Sequence, residues 1–186
     1  MLNNRTLEEQ RHEFSSRRFL AMPIAGTIAW SVVGIASFFL PPRQLCLLLF
    51  SATGSIVYLG MFISRFTGEN FLDKSKPKNV FDSLFMHSVA MSLVVYGIAI
   101  PFFLKDYSSL PLSIGVLTGL MWIPFSWIIQ HWIGLFHTIA RTVLILIAYY
   151  LFPSHRFLTI PAIIVVIYLI TISVFEKRFR SAAQRS

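Results

Sequence analysis

The residues best suited to chemistry lie in one stretch, residues 130–141, which reads QHWIGLFHTIAR and carries two histidines and an arginine among apolar neighbours. At about 100° per residue, a helix would place Gln130, His137 and Arg141 on one face. Arginine binds anionic or carbonyl groups because its guanidinium stays charged and offers forked donors, and histidine can pass or sense protons near neutral pH. The stretch therefore predicts a polar stripe that binds a small anionic or protonatable solute.

Arg141 falls near the middle of an apolar segment. Inserting an arginine at such a position costs about 2.5–3.5 kcal/mol. That cost is a large fraction of the stability of an ordinary protein. Gly134 lies on the same face and would let another helix or a ligand approach closely. We therefore expect Arg141 to face the interior of a bundle, with a partner.

Two further polar residues, Asp82 and His87, lie in an earlier apolar segment that we expect to start at the same membrane surface. At about 1.5 Å per residue, His87 and His137 share one depth, while Asp82 lies about 11 Å shallower than Arg141. A water, a backbone carbonyl or an exogenous anion is thus as good a partner for Arg141 as Asp82. The sequence predicts a ligand-binding pocket that opens to the cytoplasmic half and is lined by Asp82, His87, Gln130, His137 and Arg141.

The sequence offers little for other chemistries. His131 and His137 do not present to one metal ion on a regular helix, and Cys46 is the only cysteine. There is no His-Glu-x-x-His motif, no Gly-x-Ser-x-Gly motif and no pair of aspartates within one apolar segment. We predict no catalytic residue, no metal and no cofactor.

Composition places most of the chain in lipid. Of 186 residues, 55% are hydrophobic and 13% charged, and the mean hydropathy is +0.68. The apolar residues come in blocks of about 20, the length that crosses a bilayer as a helix. The sequence predicts an all-α, polytopic integral membrane bundle of six transmembrane helices, with spans at about 19–40, 45–64, 80–103, 109–129, 132–152 and 157–175.

Almost no loop separates the fourth and fifth spans. As one helix, residues 109–152 would measure about 66 Å, twice the membrane thickness, so the chain must reverse within them. We predict the turn near Gln130 and His131, with residues 124–126 as the alternative.

The basic residues predict the orientation. Twelve Lys and Arg fall in the N-terminal segment, the 65–79 loop and the C-terminal tail, against three on the other side, Arg43, Lys105 and Arg156. The positive-inside rule therefore puts both termini in the cytoplasm, and we expect a multi-pass protein of the plasma membrane. The net charge of +8 needs no nucleic acid, since anionic lipid headgroups account for it. The residues expected at the membrane surface are Lys74, Lys76, Lys78, Lys177, Arg178 and Arg180.

Two segments lie outside the membrane domain of residues 19–175. Residues 1–18 have the pattern of a short helix, because Thr6 and Glu9 form a capping box and Glu13 precedes Arg17 by four residues. Its apolar face could lie on the membrane surface. Residues 176–186 form a basic tail. In the 65–79 loop, Glu69 or Asp73 could fold back to supply an anion for Arg141, or the loop could stay solvated beside the lipid.

These features favour a small carrier or channel-like protein with a cytoplasm-facing polar pocket. The alternative is a non-catalytic accessory, sensor or protective membrane protein, in which the polar stripe serves packing or docking of a partner. A membrane-embedded enzyme acting on a lipid-linked substrate comes third, since no complete set of acid, base and nucleophile is present. Homo-oligomerisation is compatible with all three.

Overall fold

The computed structural model describes residues 5–71 and 77–184, and within them the chain forms ten α-helices and no strand. The helices are α1 (Leu7–Ser15), α2 (Ala21–Ala36), α3 (Pro42–Gly54), α4 (Ile56–Ser64), α5 (Val80–Val94), α6 (Tyr96–Lys105), α7 (Leu110–Leu117), α8 (Trp122–Ile129), α9 (Ile133–Leu151) and α10 (Arg156–Ala183).

Among the described residues, four helical stretches are long and apolar enough to cross a membrane: Val80–Lys105, Tyr107–Ile129, Ile133–Leu151 and Pro153–Ala182. The pair α3 and α4 makes a fifth if its 43° bend lies within one span. At 16 residues, α2 is apolar but only about 24 Å long, short of the roughly 30 Å of a hydrocarbon core. The protein is thus an all-helical membrane protein with four to five candidate spans. Six spans are reached only if α2 crosses as well.

The predicted turn between the fourth and fifth spans is present at Gln130 and His131. Gln130 follows α8 in the left-handed conformation, with φ of 50°. The Ser126 hydroxyl donates to the carbonyl of His131 at 2.5 Å, and the His131 amide donates to the Ser126 carbonyl at 3.2 Å. This local pair of bonds closes the turn and leaves Pro124 inside α8.

The break between α7 and α8 lies within a candidate span, at residues 118–121. The Thr118 hydroxyl donates back to the Ile114 carbonyl at 2.6 Å, and Gly119 follows it. The backbone then tightens, since the amides of Gly119 and Leu120 bond to carbonyls only three residues back. A side chain that competes for a carbonyl, next to a glycine, is a usual cause of a helix kink.

The α9 helix packs antiparallel to α7 and α8, and small residues set the spacing. A Cβ at Gly134 would lie 2.4 Å from the Trp122 carbonyl oxygen, and one at Gly115 would lie 2.9 Å from the Ile145 side chain. On the other side, α10 packs along α2, where the Tyr168 ring occupies the space that a side chain at Gly26 would need. The core of the bundle is therefore built from α2, α7, α8, α9 and α10.

The short α1 helix begins with the predicted capping box: the Thr6 hydroxyl accepts from the Glu9 amide, and Glu9 accepts from the Thr6 amide. Its Phe14 is 1% exposed and packs against Phe19 and Phe85 at ring distances of 5.2 and 6.1 Å. Phe14 thus docks α1 on the bundle, while Leu7 on the same face is exposed. We call this end of the bundle the α1 end.

Candidate functional site

Arg141 lies in the middle of α9 and is completely buried. Its Nη2 donates to the Thr118 hydroxyl oxygen at 3.0 Å, and its Nη1 donates to Nε2 of His137 at 3.4 Å. Within the part of the chain that the structure describes, no acidic side chain forms an ion pair with it. The guanidinium therefore has neutral hydrogen-bond partners.

Dipoles and aromatic faces offset the charge of Arg141. Thr118 caps the carboxyl end of α7, and a helix carries partial negative charge at that end. The rings of Trp30 and Tyr168 each lie 5.7 Å from the guanidinium carbon, within the range of cation–π attraction. These contacts explain how an arginine without a carboxylate is tolerated here. We call Arg141, His137, Thr118, Trp30 and Tyr168 the Arg141 centre.

The hydrogen bonds of the Arg141 centre specify the tautomer of His137. Because Nε2 accepts from Arg141, the ring proton must be on Nδ1, which donates to the Thr171 hydroxyl oxygen at 2.9 Å. Thr171 in turn donates to the Ile167 carbonyl at 2.8 Å. His137 is therefore a neutral relay between two helices.

The helix break is fitted to α9. The Thr138 hydroxyl donates to the Gly119 carbonyl at 2.9 Å. A Cβ on Gly119 would lie 3.2 Å from Cδ of Arg141, closer than most side-chain contacts. Gly119, within the helix break, thus contacts both Thr138 and Arg141 on α9.

The other three residues of the predicted pocket lie elsewhere. Gln130 is exposed in the turn, since α9 begins only at Ile133 and the helical periodicity does not extend back to it. His87 is exposed on α5, with Nδ1 2.6 Å from the carbonyl of Ser83. Asp82 lies at the α1 end. The structure brings together Arg141 and His137 and separates them from the rest.

The Glu69 side chain caps α2. Its Oε1 accepts from the amides of Leu20 and Ala21, each at 2.8 Å. A carboxylate at this place complements the positive end of the helix dipole. Glu69 therefore serves α2 and not Arg141, and Asp73 lies outside the described residues.

A cavity of about 870 Å³ opens at the α1 end, between α1, α2, α4, α5 and the break of α7 and α8. Its depth is apolar and is lined by Met22, Met61, Met121 and Phe125 among others. Its charged residues are Arg17, Glu69, Lys78 and Asp82. We call it the α1 cavity. It combines an apolar interior with a charged rim.

Arg17 joins α1 to α5 across this rim. Its Nη2 is 2.7 Å from Oε1 of Glu13 and 3.0 Å from Oδ2 of Asp82. Burial raises the pKa of Glu13, but the hydrogen bonds of Arg17 and Asn79 and the charges of Arg17 and Arg5 outweigh it, so that the pKa is lowered. The ionised form of Glu13 therefore holds α1 in place.

Trp122 contacts both the α1 cavity and the Arg141 centre. Trp122, the first residue of α8, lines the cavity and stacks on His137 with ring centroids 4.3 Å apart. It is 4% exposed. A movement of the Trp122 ring would therefore change both the α1 cavity and the Arg141 centre.

The residues expected at the membrane surface differ in their contacts. Lys78 and Lys177 are exposed at the α1 end, and Arg180 is exposed and 3.0 Å from Glu176. Arg178 is only half-exposed and donates to the Ser15 carbonyl at the end of α1. Lys74 and Lys76 lie outside the described residues.

No cluster suited to a metal ion is found among the described residues, in which three or more His, Cys, Asp or Glu side chains would have to converge. Cys46 is buried, and its thiol lies 3.9 Å from the Tyr107 carbonyl. The described side chains of the Arg141 centre can thus hold charge and exchange hydrogen bonds.

Comparison with known proteins adds a family but no activity. The chain has no match among curated proteins and none among solved structures. The model of a family of unknown function, DUF7010, matches residues 7–177. That range includes α1, the α1 cavity and the Arg141 centre, so the site belongs to the matched part of the chain. The protein is a member of the DUF7010 family.

Proposed function

We propose that this protein is a membrane carrier for a small amphiphilic solute, with an apolar tail and a charged or protonatable head. The α1 cavity carries the proposal. Its 870 Å³ falls in the range of roughly 300–1,000 Å³ typical of small-molecule sites. Flexible methionines accept tails of varied shape, and the charged rim suits a head.

In the proposed carrier, six helical spans cross the plasma membrane, and α2 is the first of them. Both termini lie in the cytoplasm. Among the described residues, nine Lys and Arg lie at the α1 end against three at the other. This asymmetry supports a cytoplasmic α1 end. The α1 cavity would then open to the cytoplasm, and the exposed Lys78, Lys177 and Arg180 would meet anionic lipid headgroups.

The break between α7 and α8 supports a carrier over a channel. Discontinuous helices near the middle of the membrane are the usual sites of binding and movement in transporters. Here the break borders the α1 cavity at Met121 and the Arg141 centre at Thr118. Rocking of α8 against α7 would change both at once.

Filling the α1 cavity tests the proposal. Met61 lines it from α4, whereas Phe62 next to it is 57% exposed and does not. We expect Met61→Trp to lower binding of a fluorescent dodecyl probe, and its uptake into proteoliposomes, roughly tenfold or more, because the indole takes the space of the tail. Phe62→Trp, the matched control, should bind and transport as the native protein does. Equal binding by the two variants would exclude the cavity as the site.

A second function is favoured by the packing of Arg141. A buried guanidinium with only neutral partners can serve to fix helices, as in an accessory, sensor or protective membrane protein. That function requires no ligand in the α1 cavity. A native protein that binds neither anionic, cationic nor neutral dodecyl probes would favour it over the carrier.

A further inference from the structure

Two buried N–H groups of the Arg141 centre have no hydrogen-bond partner among residues 5–71 and 77–184. They are Nε of Arg141 and Nε1 of Trp30, and both side chains are completely buried. The guanidinium carbon lies 5.7 Å from the centroid of the Trp30 ring, so the two side chains that carry these donors are neighbours. Buried donors nearly always have an acceptor, and two that lack one on neighbouring side chains indicate a site for an acceptor.

The positive charge of Arg141 indicates that the acceptor is an anion. Arg141 carries a permanent positive charge with no carboxylate among its described partners, and His137 is held neutral. Forked donors of a guanidinium match the oxygens of carboxylate and phosphate. A cation would be repelled, and a neutral group would leave the charge uncompensated.

Trp122 contacts both ends of the route that we propose below. Its ring lines the α1 cavity and stacks on His137, whose Nε2 is bonded to Arg141. Trp122 is also the first residue of α8, directly after the helix break. A small rotation of α8 would therefore move the Trp122 ring away from His137. The polar head of a solute whose tail lies among the methionines would then face Arg141.

Resting on the proposed function, we propose that Arg141 and Trp30 form an internal binding site for the anionic head, a carboxylate or phosphate, of the solute, which reaches it from the α1 cavity when Trp122 moves. The head would accept from Nε of Arg141 and Nε1 of Trp30. The solute would pass the rim at Arg17, whereas the preference for an anionic head would come from Arg141.

The test compares probes that share one tail. Native protein in nanodiscs of uncharged phosphatidylcholine is titrated with dodecyl phosphate, dodecanoate, dodecanol and dodecylammonium, and with inorganic phosphate alone. We expect the two anionic amphiphiles to bind roughly tenfold or more tightly than dodecanol, the effect of one or more charge-assisted hydrogen bonds. Binding of phosphate alone at the affinity of dodecyl phosphate would contradict a site reached with a tail.

Substitutions at four positions test where the anionic head of the solute binds. Arg141→Gln should remove the preference for anionic over neutral amphiphiles while dodecanol still binds, and Trp30→Phe should reduce it while keeping an aromatic face. Arg43→Gln, at an exposed arginine of the opposite end, is the control and should leave the preference unchanged. Arg17→Gln tests whether the anionic head binds at the rim of the α1 cavity instead of at Arg141.

The outcomes separate this inference from the proposed function. Equal affinity of native protein for all four amphiphiles, or loss of the preference in Arg17→Gln but not in Arg141→Gln, overturns the internal site and leaves the cavity standing. Failure of every amphiphile to bind overturns both. The native comparison needs no variant, so misfolding of Arg141→Gln would not rescue the inference.

Discussion

Arg141 is buried in α9 with no acid beside it in the described part of the chain. Its charge meets the carboxyl end of α7 through Thr118, two aromatic faces and the lone pair of a neutral histidine. Each of these is weak compared with a carboxylate. Together they stabilise the charge without neutralising it, which leaves the residue able to attract an anion.

Replacing Arg141 by leucine tests the energetics at this residue. Removing one partner of a buried ion pair is strongly destabilising, but here no carboxylate would be left behind. We therefore expect Arg141→Leu to unfold in detergent at the same temperature as the native protein or higher, measured by circular dichroism. A fall of several degrees would show that the hydrogen bonds of the guanidinium outweigh the cost of its burial.

At the scale of elements, close contacts at glycines decide how the helices pair. Gly134 lets α9 approach the backbone of α8, and Gly26 lets Tyr168 of α10 lie against α2. Tyr168 also faces Arg141, so the spacing of α2 and α10 helps to build the Arg141 centre. Small residues at such positions are characteristic of helix pairs in lipid.

Gly134→Ala should destabilise the protein by about 1–3 kcal/mol, the usual cost of overpacking. The new Cβ would lie 2.4 Å from a backbone oxygen, so α8 or α9 must shift. Gly97→Ala is the matched control: nothing lies within 4 Å of its Cβ, and we expect a gain of about 0.5–1 kcal/mol. Thermal unfolding of both variants in one detergent checks this. A Gly134→Ala variant as stable as Gly97→Ala would contradict the observed register.

The docking of α1 should depend on pH through Glu13. Its pKa in the folded protein is lowered below the ordinary 4.5, so the stabilising contribution is complete above that value and is lost as the pH falls through the lowered pKa. We expect the amides of α1 to exchange hydrogen faster in buffer well below pH 4.5 than at neutral pH, after correction for intrinsic rates.

Two variants test the assignment to Glu13. In Glu13→Gln the exchange of α1 should be faster at neutral pH and lose most of its pH dependence. Glu8→Gln is the control, because the Glu8 side chain is 81% exposed and only distantly paired with Arg11. A similar loss of pH dependence in both variants would show that the helix responds to its overall charge and not to the contact with Arg17.

At the scale of the whole molecule, the proposed carrier rests on how two sites are joined. The α1 cavity takes its walls from α1, α2, α4, α5 and the helix break, and α9 and α10 hold much of the Arg141 centre. Trp122 belongs to both. Because a broken span connects them, the proposed carrier would transmit the arrival of a solute in one site to the other without unfolding a helix.

Patterns along the chain were enough to predict membrane helices and several of their ends. Apolar runs of bilayer length predict membrane helices whatever their neighbours do, and the capping box at Thr6 and the turn at Gln130 depend on residues close in the chain. The burial of Arg141 was also predictable, since a charge inside such a run has to face the interior. All of these follow from local spacing and from solvation.

The contacts between side chains on different helices could not be predicted in the same way. Whether His87 or Thr118 lies beside Arg141 depends on the rotation and offset of separate helices, which sequence spacing does not specify. The α1 cavity was not predicted, because segments far apart in the chain build it and no single segment carries its pattern. The physical reason is that contacts between helices depend on packing across the bundle, whereas the helices themselves are specified along the chain.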